Sequence, residues 1–303
     1  MSAVSGLARA ALPTARVLFL VAAAAFAGWG LVHDWSQITA ALQEVSLGQD
    51  LISAVLVLTG VGLTGVLWTR LLRQYGYPLS LSTALPVFFV GQLGKYIPGS
   101  LWSLAAQAEM AAAVGVPMRV TVTTGLLFLW VNVASATVVG GVCLLSGELT
   151  VPVPALAVAL ICLAAVVALT PWALREFATR VADSLWRPHS PIWFALSVAG
   201  LMLLTWSAYG VAVLALLPGG VPVSAAIGAF AISYVAGVLV IVAPAGVGVR
   251  EVVLIALLDP LVGLGPSVVA ALLSRFLLVA ADFALAGLTW SVRRFAVVRD
   301  PGQ

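Results

Sequence analysis

The chain has 303 residues, of which 62% are hydrophobic and 8% are charged, and its formal net charge is +3. Soluble domains carry about 25% charged residues, so this composition excludes a soluble globular protein and predicts an all-α polytopic membrane protein. Unbroken apolar runs also exclude an outer-membrane barrel, in which apolar and polar residues alternate over segments of about ten residues.

The N-terminal segment combines a short basic lead with an apolar run at residues 17–32. This pattern resembles a signal peptide, with Ala25-Phe26-Ala27 in the place of a cleavage site. A retained first span is favoured, because Trp29 and Trp35 flank its far end as aromatic residues do at a membrane interface. Cleavage is the alternative interpretation.

A second span at about 51–72 is followed by the first of two predicted broken hairpins, at about 79–116. The apolar stretch from Gly91 to Trp102 is broken at Pro98-Gly99 and then resumes as a helix at 103–116. Backbone polar groups in hydrocarbon must be satisfied internally, so a break is tolerated where it is buried in protein or lines a cavity. The candidate substrate-binding residues of this hairpin are Lys95, Tyr96, Pro98, Gly99, Trp102 and Glu109.

Three further spans are predicted at about 120–145, 152–170 and 191–217. Asn132, in the middle of the first of these, is interpreted either as a hydrogen-bonding residue between helices or as a ligand contact. The most polar stretch of the chain, residues 172–189, is too short for a domain and predicts a surface helix.

The second broken hairpin is predicted at about 224–258, and a last span at about 267–292. The break in this second hairpin ends in two consecutive charged residues. An ionisable pair at membrane depth is a functional-site hypothesis by default. In the last span, Arg275 and Asp282 are seven residues apart, so they share one helix face, which should point inward. The candidate substrate-binding residues here are Pro244, Gly246, Gly248, Arg250, Glu251, Arg275 and Asp282.

This layout of six full spans and two hairpins places the loop arginines on one side of the membrane and the loop carboxylates on the other. The positive-inside rule makes the basic side cytoplasmic, so a multi-pass protein of the cell membrane with both termini in the cytoplasm is predicted. The two hairpins then enter from opposite faces. The single domain, 1–303, divides into an inverted repeat with halves at about 16–146 and 152–292, an architecture typical of alternating access.

Six charged residues remain at membrane depth, and three bases balance three acids. The helix that starts at each break, together with a basic residue, would attract an anion such as a phosphate. The six residues are Lys95, Glu109, Arg250, Glu251, Arg275 and Asp282.

Several of these residues also have purely structural interpretations. Lys95 could extend back to the interface, as long basic side chains do. Ion pairs between Arg250 and Glu109, or between Arg275 and Glu251, could serve packing alone. The second break could be a simple kink whose charges reach the headgroups, and the aromatic residues of the first hairpin could be interfacial.

Two motifs resemble those of a known family. The segment from Pro244 to Glu251, Pro-Ala-Gly-Val-Gly-Val-Arg-Glu, resembles the Pro-Gly-Gly-Leu-Gly-x-Arg-Glu motif of the lysylphosphatidylglycerol synthase transmembrane-region family. That family is also described as the flippase-like domain of multiple peptide resistance factors. The segment from Gly94 to Trp102 is similar to its Pro-Gly-containing first element, and the resemblance covers about residues 15–295.

The resemblance implies a lipid-translocating module without synthase activity, because no soluble segment of the chain has the size of that family's aminoacyl-transferase domain. Two departures imply a modified mechanism. Ala245 stands where the family commonly has Gly, and Trp130 and Asn132 occupy a region where a Glu and an Asp are expected.

The leading functional hypothesis is a non-enzymatic lipid translocase that moves an anionic phospholipid or a polyprenyl-linked lipid between leaflets. Nothing in the sequence resembles an ATP-binding motif, so a gradient or a partner would supply the energy. Two rivals stay open. One is a small-solute secondary transporter with the same repeat logic, and the other is a membrane-embedded glycosyltransferase that uses a lipid-phosphate donor.

The expected partners are a lipid headgroup, a separate lipid-modifying enzyme or glycosyltransferase, and further copies of the chain. A nucleic-acid partner is not expected, because the positive-inside rule accounts for the excess of arginine. No cofactor and no metal are expected either. The two cysteines, Cys143 and Cys162, lie inside apolar runs without a disulfide framework or metal spacing, and the two histidines are far apart.

Overall fold

The computed structural model describes residues 35–97, 102–182, 191–240 and 244–299. Within these ranges the regular structure is entirely helical, which confirms the all-α prediction. The first predicted span, together with Pro98 and Gly99 of the first break, lies outside the described residues.

Eleven α-helices are described, numbered here in chain order. They are α1 (Trp35–Glu44), α2 (Leu47–Arg73), α3 (Leu81–Gln92), α4 (Trp102–Ala112), α5 (Met118–Leu145), α6 (Ala155–Ala168), α7 (Pro171–Ala182), α8 (Pro191–Ala215), α9 (Val223–Leu239), α10 (Val249–Val262) and α11 (Leu264–Arg299). Two short 3-10 turns, Leu93–Tyr96 and Pro244–Gly246, precede α4 and α10.

Helix starts follow from local sequence. Ser46 caps α2, where its side chain accepts a hydrogen bond from the Gln49 N–H while Gln49 reaches back to the Ser46 N–H. Pro117 and Pro222 immediately precede α5 and α9. A proline fits there because its missing N–H would have no helical partner.

Four of the described helices are long and apolar enough to cross a membrane, namely α2, α5, α8 and α11. The bent pair of α6 and α7 raises this number to five if the pair counts as one span. These long apolar helices support a multi-pass membrane protein. They do not by themselves account for the six full spans that were predicted.

The predicted fourth span, residues 152–170, differs most from the structure. Its helix, α6, has 14 residues and meets α7 at an angle of 63°. Pro171 begins α7, and a proline at that position cannot continue the preceding helix, because it lacks an N–H and its ring clashes with the backbone one turn earlier.

The chain breaks at both predicted hairpins. The helical arms α3 and α4 flank the first break and pack against each other, and α9 and α10 do the same around the second. The two 3-10 turns contact each other, so the breaks meet inside the bundle. This contact brings together two segments of widely separated sequence.

The packing of the two halves is reciprocal. Arm α3 of the first hairpin packs against α11, the last helix of the second half, while arm α9 packs against α5, the last long helix of the first half. Helices α2 and α8 pack against each other. If α3 is taken to correspond to α9, and α5 to α11, each of these contacts in one half has a counterpart in the other.

Small residues permit the close approach of the central helices. A Cβ added at Gly60 of α2 would overlap the Tyr209 ring of α8, and one added at Gly210 of α8 would overlap Ile227 of α9. Where lipid replaces water around a bundle, helix association depends on such van der Waals packing. Trp206 of α8 is fully buried and donates a hydrogen bond from Nε1 to Ser135 Oγ of α5 at 2.9 Å.

Candidate functional site

A cavity of about 440 Å³ lies where the two breaks meet. Its wall includes residues from both 3-10 turns, from the hairpin arms and from the surrounding long helices. Ligand pockets in proteins range from about 300 to 1,000 Å³, so this cavity suits a headgroup or a small solute and not a whole lipid.

The first break is fastened to α11 through one carboxylate. The Nζ of Lys95 lies 2.6 Å from Oδ2 of Asp282, and the Tyr96 hydroxyl donates to the same oxygen at 2.5 Å. The Asp282 side chain is 7% exposed and that of Lys95 is 34% exposed. The Tyr96 ring also stacks on Phe283, with ring centres 5.8 Å apart. Lys95 is thus held inside the bundle, contrary to the interfacial interpretation.

The second break has an unusual backbone. Ala245, Gly246 and Gly248 adopt positive φ angles of 51°, 72° and 84°. Glycine reaches this region without the steric cost that a Cβ imposes, whereas Ala245 occupies it as the single non-glycine residue of the described chain to do so. The Gly248 N–H donates to Glu251 Oε2 at 2.6 Å, which satisfies a backbone group at the start of α10.

Glu251 also faces Arg275 of α11. Its Oε1 lies 3.5 Å from the Arg275 Nε, and both side chains are largely buried. The contact is an ion pair, and neither Glu251 Oε1 nor Arg275 Nη2 has a hydrogen-bond partner among the described residues. The predicted pair between Arg275 and Glu251 therefore forms.

Arg250 has a different environment. Its guanidinium lies over the Tyr234 ring, 4.3 Å from the ring centre, which is a cation–π contact. Gly237 of α9 packs directly against the aliphatic part of the side chain. No carboxylate of the described residues lies within ion-pair distance, and Arg250 Nε has no hydrogen-bond partner among them.

The predicted pair between Arg250 and Glu109 does not form. Glu109 is exposed on α4 and lies outside the cavity wall. Two positions earlier, Gln107 is 2% exposed and lines the cavity. Residues two apart on a helix point about 200° apart, so when Gln107 faces the cavity Glu109 must face away.

With Glu109 outside, the expected balance of charge is lost. Three bases, Lys95, Arg250 and Arg275, face two carboxylates, Asp282 and Glu251, in or directly beside the cavity. The described part of the site therefore carries one net positive charge. A buried net charge is costly, and this one is best offset by an anionic ligand.

Some of the remaining predicted residues lie in the cavity wall and others lie outside it. Gly246 is buried in the cavity wall beside Gly237, and Pro244 begins the 3-10 turn that contributes to it. Arg275 and Asp282 both line the cavity, which confirms their common inward face. Trp102 is 54% exposed at the start of α4, outside the wall.

Several cavity residues were not among the predicted binding residues. Gln107, Tyr209 and Tyr234 line the cavity, and so does Asn132, for which a ligand contact was one of two interpretations. A polar or aromatic residue in an apolar helix is a signal that could have found them, although it does not say which way the side chain points. Trp130 lies outside the cavity wall, and its Nε1 donates a hydrogen bond to the Ala168 carbonyl at 2.9 Å.

The site offers no arrangement typical of metal binding. In the described ranges, no three His, Cys, Asp or Glu side chains lie close enough together to hold a metal ion. The cavity wall offers basic groups, a carboxylate, amides, hydroxyls and aromatic rings.

Comparison with known proteins agrees with the motifs. The family described as Lysylphosphatidylglycerol synthase TM region matches residues 14–286. No curated protein matches the chain at a significant level. The family match spans both breaks, the cavity and nearly all of the described helices. The chain therefore belongs to the lysylphosphatidylglycerol synthase TM-region family.

Proposed function

We propose that this protein is a lipid translocase that moves an anionic phospholipid or a polyprenyl-phosphate-linked lipid between the two leaflets of the cell membrane. The proposal extends the family membership, which associates the chain with flippase-like membrane domains, to a specific activity. The protein would act without covalent chemistry, so it is not proposed to be an enzyme.

The observation that carries the proposal is the position of Arg250. It lines the cavity at the meeting point of two helix breaks, and it has no carboxylate partner among the described residues. A guanidinium presents several N–H donors in a planar fork that matches the oxygens of a phosphate. Arg250 is thus the natural receptor for the phosphate of a lipid headgroup.

The remaining charges assist in holding that phosphate. Arg275 lines the same cavity, and its Nη2 has no hydrogen-bond partner among the described residues. Helix α10 starts at Val249, just after Gly248 and beside the cavity, and the positive end of a helix favours an anion. The headgroup would therefore meet two guanidinium groups and a helix start in one place.

Translocation requires that the polar headgroup cross the bilayer while the acyl or prenyl tails stay in hydrocarbon. Transfer of an unpaired polar group into an apolar medium costs several kcal/mol, about 4–8 for transfer from water to a hydrocarbon-like solvent. A polar cavity with one excess positive charge lowers this barrier for an anionic headgroup. Two breaks that enter from opposite faces would let the cavity open alternately to each leaflet.

The test is leaflet exchange in reconstituted liposomes. Purified protein is expected to accelerate the exchange of acyl-labelled phosphatidylglycerol, or of a labelled polyprenyl-phosphate sugar, measured by quenching of the outer-leaflet label. Arg250→Met keeps the aliphatic packing against Gly237 and removes the charge, so this variant is expected to lose most of the acceleration. Arg180→Met is the matched control, because Arg180 is exposed and paired with Glu176 on α7.

Exchange rates equal to those of protein-free liposomes for both lipid classes, from protein that remains monodisperse, would overturn the proposal. Arg250→Met with the rate of the unmodified protein would remove the assigned role of this residue. Uptake of a water-soluble solute into the same liposomes would favour a small-solute transporter instead.

A further inference from the structure

We propose that the headgroup accepted by this cavity is a phosphodiester that carries an uncharged, hydroxyl-rich group, such as glycerol, inositol or a sugar. The cavity would reject an aminoacylated headgroup. This inference rests on the proposed function, since it names the class of lipid that the same site would carry.

Charge is the first argument. The cavity wall contains a single carboxylate, Asp282, among the described residues, and that carboxylate is already engaged by Lys95 and Tyr96. Glu251, beside the cavity, is engaged by Arg275 and by the Gly248 N–H. The ammonium of an aminoacyl group would therefore find no carboxylate without a basic partner in the described part of the site.

The net charge leads to the same result. The site carries one excess positive charge, and a phosphodiester with a neutral substituent carries one negative charge, so the complex is neutral. A lysyl-phosphodiester headgroup carries two ammonium groups and one phosphate. Its binding would leave two excess positive charges in one cavity, where like charges repel each other.

The second argument is that the cavity wall also offers neutral hydrogen-bonding groups. Gln107 of α4 is 2% exposed, and its Oε1 has no hydrogen-bond partner among the described residues. An unsatisfied buried acceptor is costly, so its presence at a cavity indicates a ligand that donates to it. Gly125 of α5 packs against the Leu104 side chain of α4, and Gln107 Oε1 lies 3.8 Å from where a Cβ at Gly125 would be, so α4 and α5 approach closely beside this oxygen.

Asn132 extends the same polar wall along α5. It lies seven residues after Gly125, about two helical turns, and therefore on the same face. Its Nδ2 donates to the Phe128 carbonyl at 2.8 Å, so one amide proton and the carbonyl oxygen remain uncommitted within the described part of the chain. Thr64, Gln92 and Ser103 also line the cavity.

This set of amides and hydroxyls matches hydroxyl groups better than it matches cations or alkyl groups. A hydroxyl both donates and accepts, as the amides do. A site built to hydrogen-bond hydroxyls discriminates strongly against a ligand that lacks them, because its own polar groups are then left unpaired. Arg250 would hold the phosphate, and Gln107 and Asn132 would hold the neutral polyol attached to it.

The experiment compares lipids that share one fluorescent acyl chain and differ in the headgroup. The panel consists of phosphatidylinositol, phosphatidylglycerol, phosphatidylmethanol and lysylphosphatidylglycerol in liposomes with the full-length protein. Phosphatidylmethanol has the same charge as the first two and no hydroxyl group. We expect exchange of phosphatidylinositol or phosphatidylglycerol to exceed that of phosphatidylmethanol about tenfold or more. Lysylphosphatidylglycerol should exchange at the protein-free rate.

The variant Gln107→Met preserves side-chain volume and removes the acceptor. It is expected to lower the exchange of the hydroxyl-bearing lipids towards the level of phosphatidylmethanol, and a monodisperse peak with the unfolding temperature of the unmodified protein verifies that the variant is folded. If lysylphosphatidylglycerol exchanges as fast as the hydroxyl-bearing lipids, or if Gln107→Met lowers all rates equally, the inference is overturned. Equal rates for all three anionic lipids would overturn it while sustaining the translocase. No exchange of any lipid would instead reject the proposed function.

Discussion

The Nζ of Lys95 lies 2.6 Å from Oδ2 of Asp282, and this contact ties the first helix break to the last helix. The same oxygen accepts the Tyr96 hydroxyl, so two successive residues of the break depend on one buried carboxylate. The break contributes to the cavity wall, and the cavity therefore owes part of its shape to an ion pair between elements from opposite halves of the chain.

Asp282→Asn is expected to destabilise the protein more than Lys95→Met. The asparagine variant leaves Lys95 without a counter-ion, and removing one partner of a buried ion pair costs about 3–5 kcal/mol. Lys95→Met costs less, because Lys95 is 34% exposed and the Tyr96 hydroxyl still donates to the carboxylate. Thermal unfolding in detergent, followed by loss of the monodisperse peak, measures the order. Asp259→Asn, at an exposed position of α10, is the control. A larger effect of Lys95→Met would contradict this account.

Glu251 and Arg275 are expected to show energetic coupling. Glu251→Gln keeps an oxygen for the Gly248 N–H but leaves the Arg275 guanidinium without its counter-charge. Arg275→Gln leaves the Glu251 carboxylate without its counter-charge. The double variant removes both charges. Its loss of stability should be smaller than the sum of the two single losses, by about 0.5–3 kcal/mol. Additive losses in the same unfolding assay would mean that the pair makes no net contribution.

Gly237→Ala is expected to displace Arg250. The added Cβ would overlap the Arg250 Cγ and lie 2.9 Å from Nε, so the guanidinium must leave its position over Tyr234. Overpacking of this kind costs about 1–3 kcal/mol. Leaflet exchange should slow together with this loss of stability.

Gly200→Ala makes the same chemical change in α8, where a Cβ would meet nothing within 4 Å. It should leave exchange unchanged and stabilise the helix by up to about 1 kcal/mol. Equal exchange rates in the two variants would show that the position of Arg250 is irrelevant to transport.

Cysteine labelling in intact cells tests the predicted topology. With Cys143 and Cys162 replaced by Ala, Gly48→Cys and Gly147→Cys should react with an impermeant reagent from outside. Arg73→Cys and Arg180→Cys should react after the cells are permeabilised and not before. External labelling of Arg73→Cys would rule out the inverted arrangement of the two hairpins, and with it the cytoplasmic position of both termini.

The sequence alone was sufficient to locate both breaks and the inward face of the last helix. A proline beside clustered glycines marks both breaks, and the seven-residue spacing of Arg275 and Asp282 fixes their common face. These features depend on local geometry, which a single sequence encodes directly.

The partners of the charges could not be predicted in the same way. Helix α4 carries both Gln107 and Glu109. Glu109 was predicted to bind substrate because it is charged, but Gln107 is the residue that faces the cavity. Which face of a short helix is buried depends on α5 and on the first break, which are brought together by the tertiary fold. The contact of Arg250 with Tyr234 likewise joins two arms whose relative rotation is set by packing.

The reciprocal packing of the two halves has a consequence for how the protein is made. Lys95 enters the membrane early in synthesis, whereas Asp282, its counter-ion, belongs to α11, which leaves the ribosome after both breaks. Glu251 likewise precedes Arg275. Both ion pairs of the cavity are therefore completed by a single late event, the insertion of α11, and until then each early charge must be tolerated by the insertion machinery or by the membrane surface.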